Sequence, residues 1–246
     1  RAETPGHSID MSRVELPMMF NLHHPLNLEV IGAEAQHDNM QSAAYRVIWG
    51  FLRKCPASKV RFCIFDPKEG GGSVRMLSNF VNKMPDSYKR AVTQMSRTEE
   101  LLSCLKELEG QTLDFIRDRP DYDDLLDYNA HNPRRTEAIT LLMLYDFPLN
   151  ADARCLELLS SVMQKGNRCG IYVVLCRNTA VEVASSYDHI DEKLAELEKN
   201  CVQIECKENG FALLPYHLSV RLIEKPDAGQ LEKFAVEYHK AVEKLS

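Results

Sequence analysis

A short apolar strand, a glycine and a helix follow one another directly between Leu28 and Asn39. From Met40 onward, apolar residues recur at intervals of three and four, at Ala43, Ala44, Val47, Ile48, Phe51 and Leu52. This spacing places them on one face of an α-helix. The stretch therefore predicts a buried strand whose glycine turn leads into an amphipathic helix.

The same arrangement holds a phosphate in P-loop proteins, where backbone N–H groups and a Lys bind the phosphates and a Ser or Thr binds magnesium. Counting from Gly32, Ala35 and His37 replace the later glycines of that loop. Asp38 replaces the Lys, and Asn39 replaces the hydroxyl residue. A carboxylate at the Lys position repels a triphosphate, and side chains at the glycine positions crowd the backbone. The sequence therefore predicts a P-loop-type fold whose nucleotide site has lost its function.

The composition of the chain argues against several classes of protein. The 246 residues are enough for one large α/β domain or two small ones. A formal net charge of −6 gives no overall basic signature for nucleic acid, and no apolar run approaches the roughly 18 residues of a membrane helix. The eight cysteines contain no CxxC pair, so we expect reduced thiols and no metal site. His23 and His24 form a pair, but adjacent residues are expected to point in different directions, and no acidic or thiol partner lies at ligand spacing.

Apolar segments alternate with helical patterns along the rest of the chain. Buried strands are predicted at Val60–Phe65, Ile139–Tyr145 and Ile171–Cys176, and helices at Thr98–Arg117, Arg154–Gln164 and Asp188–Lys199. An antiparallel pair is predicted for Cys201–Cys206 and Phe211–Leu214, joined by Lys207–Gly210 with Asn209–Gly210 as the hairpin signal. This alternation predicts a three-layer α/β/α fold with a mostly parallel sheet.

The predicted elements divide the chain into three parts. Residues 1–27 are expected to form an N-terminal extension with an edge strand, and residues 28–215 to form the α/β domain. Residues 216–246 are expected to be a helical extension or a linker to a following module, with an apolar stripe from Leu231 to Leu245. Because the chain starts at Arg1 without a signal-peptide pattern, we expect it to be a piece of a longer protein.

The order of five segments resembles the FtsK/SpoIIIE family of RecA-like, P-loop DNA translocase ATPases, over roughly residues 15–205. The segments that resemble the family's motifs are the phosphate-loop position at Leu28–Asn39, the strand ending in Asp-Pro-Lys at Val60–Lys68, the helix Thr98–Arg117 with the Tyr-Asn ending at Asp124–Asn129, the Walker B position at Ile139–Phe147, and the Gly-Arg-x-x-Gly-Ile-His run at Gly166–Asn178. The resemblance implies a RecA-like (P-loop NTPase) sheet.

The chain departs from this family's pattern at the catalytic positions. The family's Walker B motif ends in Asp-Glu, in which Asp supports magnesium and Glu polarises the attacking water. Here Asp146 is followed by Phe147, so only one carboxylate remains. Arg168 is displaced by one residue from the family's Arg, and Arg177–Asn178 stands in the place of its Thr-Gln sensor. Since phosphoryl transfer depends on charge neutralisation and positioning, these departures predict that hydrolysis is lost.

The resemblance assigns a nucleotide site to residues from separate segments. Asp146 is the candidate catalytic residue. The candidate nucleotide-binding residues, which we expect to be non-functional, are Gly32, Asp38, Asn39, Asp66, Lys68 and Arg168. No resident cofactor is therefore expected, and ATP with Mg²⁺ would be held only if this degenerate site still binds them.

These observations predict a degenerate, non-hydrolysing module of a larger DNA-translocase or secretion-type motor, with a structural or regulatory role. One alternative is an active ATP-binding DNA translocase module in which Lys68 and Gly70–Gly72 supply non-standard phosphate contacts. Another is a nucleic-acid-binding module without hydrolysis, which the negative net charge weakens. The expected partners are neighbouring ATPase domains of the same chain or a homo-oligomer, and a protein substrate. The expected location is the cytoplasm, including the cytoplasmic part of a membrane-associated motor.

Overall fold

An eight-stranded β-sheet forms the middle layer of the protein. The computed structural model describes residues 27–54, 59–68, 91–181, 190–208, 210–215 and 217–220, with the single positions 233, 236 and 237. The strands are β1 (Asn27–Gly32), β2 (Val60–Phe65), β3 (Val92–Met95), β4 (Ile139–Phe147), β5 (Ile171–Asn178), β6 (Cys201–Lys207), β7 (Gly210–Leu213) and β8 (Leu218–Val220). The helices are α1 (His37–Lys54), α2 (Thr98–Asp118), α3 (Leu125–His131), α4 (Ala153–Lys165) and α5 (Ile190–Glu198).

The strands lie in the order β3-β2-β4-β5-β1-β6-β7-β8. Those from β3 to β6 in this order are parallel, and β7 and β8 continue the sheet as antiparallel strands. The predicted hairpin is present, with Cys206 opposite Phe211. Strand β4 is buried along almost its whole length, as expected for a central parallel strand covered on both faces.

Helices cover both faces of this sheet, which confirms the predicted α/β fold with three layers. Helix α1 packs on one face, where Ala44 and Ile48 join Val30 of β1 in one apolar core. Helices α2, α4 and α5 cover the other face, where Leu105 and Leu159 belong to a second core. The two cores form because successive side chains of a buried strand point to opposite faces.

The predicted elements are found, with some differences at their ends. Helix α1 begins at His37, three residues before the apolar pattern starts, and β5 continues past Cys176 to Asn178. Strand β3 was not predicted, because its two middle residues, Thr93 and Gln94, are exposed and give it no apolar alternation. The ends of strands are hard to predict from a sequence, because hydrogen bonds to neighbouring strands determine where they lie.

Several predictions lie outside the described residues. They are the edge strand in the N-terminal extension, the pair His23–His24, the glycines 70–72, and nearly all of the final helix. The domain boundaries therefore stay predictions. Within the described part of the chain, no helix is both long enough and apolar enough to cross a bilayer.

The buried side chain of Asn27 fixes the start of β1. Its amide group donates to the carbonyl oxygens of Met163 at 3.1 Å and Asn200 at 3.3 Å. Its carbonyl oxygen accepts from the backbone N–H of Val173 at 3.1 Å. Because every polar atom has a partner, this buried amide costs little, and it ties β1 to β5 and to the end of α4.

Gly170, which precedes β5, is a position that only glycine fits. Its φ is 70°, in the left-handed region, and a Cβ atom there would lie 2.4 Å from Cδ2 of Leu125 in α3. Helix α3 therefore packs directly on the backbone of this turn.

Gly170→Ala is expected to lower the free energy of unfolding by about 1–3 kcal/mol, because it combines a disfavoured φ with a clash. Gly110→Ala is the matched control: nothing lies within 4 Å of the added Cβ in the middle of α2. The control is expected to raise stability by about 0.5–1 kcal/mol through helix propensity. Urea denaturation measures both. Equal effects of the two substitutions would contradict the packing described for Gly170.

Candidate site at the carboxyl edge of the sheet

Charged and polar side chains from four segments meet at the carboxyl edge of the central parallel strands. They follow or end β1, β2, β4 and β5, and they are Glu34, His37, Lys68, Asp146 and Asn178. In open α/β sheets, ligands bind at this edge, where the chain leaves neighbouring strands in opposite directions. This cluster, termed the edge network below, is the candidate site.

Asp146 lies at the centre of the edge network. It is the next-to-last residue of β4, its side chain is 1% exposed, and its φ is 49°. The register with β5 shifts between Leu144 and Phe147, so the strand is irregular where Asp146 lies. A non-glycine residue in the left-handed region is uncommon and occurs often at functional sites.

Asn178 holds two carboxylates with one amide group. Its Nδ2 donates to Oε2 of Glu34 at 2.7 Å and to Oδ1 of Asp146 at 3.0 Å. Its own Oδ1 accepts from the backbone N–H of Ala180 at 3.0 Å, which fixes the orientation of the amide. Asn178 is 1% exposed, so its bond to Asp146 forms away from solvent, whereas the Glu34 side chain is 62% exposed.

Lys68 brings a cation to the same two carboxylates. Its Nζ lies 3.3 Å from Oε1 of Glu34 and 3.4 Å from Oδ2 of Asp146. The loop that carries it is turned by Asp66, whose Oδ1 accepts from the backbone N–H of Lys68 at 3.1 Å. His37, in the first turn of α1, places its Nε2 3.6 Å from Oδ2 of Asp146. Both contacts to Oδ2 exceed the usual hydrogen-bond length.

The connection from β1 to α1 is a tight turn. A 3₁₀ turn over Glu34–Gln36 follows Ala33, and the backbone N–H of Ala33 donates to Oε1 of Gln36 at 3.0 Å. A Cβ atom on Gly32 would lie 3.0 Å from Sδ of Met40, so α1 approaches the backbone closely there. The turn places the Glu34 side chain in the edge network.

These contacts shift two pKa values. The pKa of Glu34 is lowered from its ordinary 4.5, first by the hydrogen bond from Asn178 and then by Lys68. Desolvation disfavours the charged form of Lys68, but Asp146 and Glu34 outweigh it and raise its pKa above 10.5. The contribution of Glu34 to stability is thus present above pH 4.5 and lost as pH falls through its lowered pKa. The contribution of Lys68 is present below pH 10.5 and lost as pH rises through its raised pKa.

The structure brings together some of the predicted site residues. Gly32, Asp66, Lys68 and Asp146 lie at the carboxyl edge, at or just beyond the ends of their strands. Arg168 lies at the opposite, amino edge, because it belongs to the turn before β5. There its guanidinium donates to the carbonyl oxygens of Asp123 at 2.9 Å and Tyr122 at 3.2 Å.

Asp38 and Asn39 are in the first turn of α1 but not in the edge network. Asp38 is exposed, and the amide of Asn39 donates to the carbonyl of Lys207 in β6 at 3.3 Å. The resemblance placed Asn178 at the family's sensor position, but neither Asn178 nor Glu34 was predicted to be a site residue. Glu34 could have been found from the sequence, because it lies two residues after the glycine that ends β1. The role of Asn178 was harder to predict, because it depends on β5 ending at that residue.

The described residues hold no group of three or more His, Cys, Asp or Glu side chains arranged to bind a metal ion. The expectation of no metal site concerned the whole chain, and it stays a prediction.

Neither a family model nor a curated protein matches this sequence. Solved structures do match the fold. ATPases 2 and 3 of EssC from Geobacillus thermodenitrificans align over 90% of this chain, with a TM-score of 0.57 and 11% identity. The cytoplasmic domain of the Type VII secretion ATPase EccC from Thermomonospora curvata aligns over 73%, with a TM-score of 0.52 and 16% identity. The pCW3 conjugation coupling protein TcpA, solved with ATPγS, aligns over 76%, with a TM-score of 0.52 and 11% identity.

The chain has the fold of FtsK/SpoIIIE-type ATPase domains. This confirms the fold that the order of motifs implies. At 11–16% identity, the likeness concerns the fold alone. The chain spans 44% of the EssC structure, 20% of the EccC structure and 50% of the TcpA structure.

Asn178→Ala is expected to lower the free energy of unfolding by about 1–3 kcal/mol, because it removes the amide donor of a buried carboxylate. The matched control is Asn39→Ala, which removes a surface amide and is expected to change stability by less than about 0.5 kcal/mol. Urea denaturation at pH 7 measures both variants. A loss in Asn178→Ala no larger than that of the control would contradict the shared-donor arrangement.

Proposed function

We propose that this chain is a non-hydrolysing FtsK/SpoIIIE-like module of a larger DNA-translocase or secretion-type motor, in which it has a structural or regulatory role. The observation that carries the proposal is the pairing of Lys68 with two carboxylates. Its Nζ contacts Glu34 at 3.3 Å and Asp146 at 3.4 Å, at the edge where a nucleotide phosphate would otherwise need a cation.

The edge network does not fit a magnesium–triphosphate group. A triphosphate needs backbone N–H donors and an available cation, yet the N–H of Ala33 donates to Gln36 and Lys68 is paired. The Glu34 carboxylate, which is ionised at pH 7, adds repulsion on the side of the turn. With one carboxylate, Asp146, at the Walker B position, the pair that would hold magnesium and polarise water is incomplete. These features support loss of hydrolysis.

The larger context is inferred from the structural neighbours. EssC and EccC were solved with more than one ATPase domain, and this chain spans about half of the EssC structure or less. We infer that adjacent ATPase domains, or further copies of this chain, are the partners of the module. A cytoplasmic location and a protein substrate belong to the same proposal.

A second candidate function rests on the exposure of Lys68. Its side chain is 46% exposed, and a surface ion pair holds a lysine weakly. The ammonium group is therefore able to leave Glu34 and meet a phosphate. In that case the chain would be an ATP-binding translocase module with non-standard phosphate contacts.

Calorimetry and thermal unfolding with Mg²⁺-ATP distinguish the two functions. We expect no binding heat, no rise in Tm at millimolar nucleotide and no phosphate release. A site with a Kd a hundredfold below the nucleotide concentration would instead stabilise the fold by about 2.7 kcal/mol, a shift that is easily seen.

Lys68→Met and Lys106→Met are the variants for this experiment, because Lys106 is an exposed lysine of α2 outside the edge network. Saturable binding that Lys68→Met abolishes and Lys106→Met retains would overturn the proposed function in favour of the second candidate. Magnesium-dependent turnover by the wild-type chain would overturn it as well.

A further inference from the structure

Two cysteines from different elements meet on the face of the sheet that α2 covers. Cys63 is a buried residue of β2, and Cys104 is a half-buried residue of α2. Their thiols lie close enough for each to shift the pKa of the other. Both side chains line one cavity of about 330 Å³ between β2, β3 and α2.

A second contact, between Arg61 and Glu107, lies beside the thiols and also joins the strand to the helix. Arg61 precedes Cys63 by two residues on the same face of β2, and Glu107 follows Cys104 by one helical turn. The Arg61 guanidinium lies 3.5 Å from the Glu107 carboxylate. The two contacts run side by side across the gap, and all four side chains line the cavity.

The pair differs chemically from the other described cysteines. Burial raises the pKa of a thiol, and it is the largest cause of the raised pKa of Cys169, which is about 11. For Cys63 the hydrogen bond from Cys104 outweighs burial and lowers the pKa, with Arg61 adding to the effect. The same contact raises the pKa of Cys104 above its ordinary value. One sulfur is thus prepared as the nucleophile, and the other stays protonated beside it.

We propose that Cys63 and Cys104 form a peroxide-reactive dithiol that closes to an intramolecular disulfide. The Cys63 thiol loses its proton, and the thiolate attacks hydrogen peroxide: an S–O bond forms, the O–O bond breaks, and the sulfur is oxidised to a sulfenic acid. The hydroxide that leaves takes up the proton that the thiol lost and becomes one water. The Cys104 sulfur then attacks the Cys63 sulfur: the S–S bond forms, the S–O bond breaks, and the thiol proton leaves with the hydroxide as a second water. Two thiols and one peroxide give one disulfide and two waters.

Such a bond would link the sheet to α2 next to the candidate site. Cys63 lies in the strand that leads into the Lys68 loop, so oxidation would tie that strand to the helix that covers it. Cytoplasmic disulfides of this kind are transient and serve redox sensing rather than stability. The proposal rests on the thiol pair and the cavity, and it is independent of whether the chain binds nucleotide.

The test treats the folded, reduced wild-type chain with hydrogen peroxide and then maps its peptides by mass spectrometry. We expect the intact mass to fall by two hydrogen atoms and a linked peptide to join Cys63 to Cys104. Dithiothreitol should restore both thiols. In Cys104→Ser, the same treatment should leave a sulfenic acid on Cys63 that dimedone traps.

Cys169→Ser is the matched control, since Cys169 is also half-buried and its thiol contacts a carbonyl oxygen, that of Thr112 at 3.7 Å. The linked peptide should form in this variant as in the wild type. The proposal is overturned if Cys63 and Cys104 stay reduced under peroxide that oxidises exposed cysteines of an unfolded sample. It is equally overturned if each is oxidised singly and no linked peptide forms. Because the wild-type map needs no variant, a folding defect in Cys104→Ser leaves the test intact.

Discussion

The carboxylate of Asp146 is buried where the central strand ends. The geometry around the candidate site depends on giving this carboxylate a hydrogen-bond donor and a counter-charge. A buried charge is costly unless it is paired and hydrogen-bonded. The amide of Asn178 supplies one donor at 3.0 Å, and Lys68 supplies a counter-charge at 3.4 Å. Because that amide and that lysine also hold Glu34, the turn after β1 is tied to the ends of β4 and β5. One buried charge therefore sets the positions of three segments.

This arrangement has a direct consequence for the function that we propose. The elements that bring nucleotide phosphates to the carboxyl edge in P-loop proteins are present here as a strand, a turn and a helix. At that edge, however, the positive charge of Lys68 is already paired with the negative charges of Glu34 and Asp146. A phosphate would have to displace a carboxylate from the lysine while it approaches the negative charges of Glu34 and Asp146. This pairing of charges supports our proposal that the module keeps the fold for its contacts with other domains.

The sequence predicted the fold well because its main signals are local. Apolar runs such as Val60–Phe65 and the helical spacing after Met40 need no knowledge of distant residues. The site was predicted only in part, since it depends on where strands end and on which ends are neighbours. Asn178 acts at the edge because β5 extends two residues beyond its apolar run. Arg168 was assigned to the site from its motif, but its turn precedes β5 and therefore lies at the other edge.

The most direct measurement is the titration of the Glu34 side-chain carboxyl by ¹³C NMR in the wild-type chain. The central claim is that Asn178 and Lys68 hold this carboxylate in its charged form, which lowers its pKa below the ordinary 4.5. The account predicts a titration midpoint below 4.5 that rises when Asn178 is replaced by Ala. A midpoint at or above 4.5 in the wild type would mean that Glu34 is free of this network, and it would contradict the account.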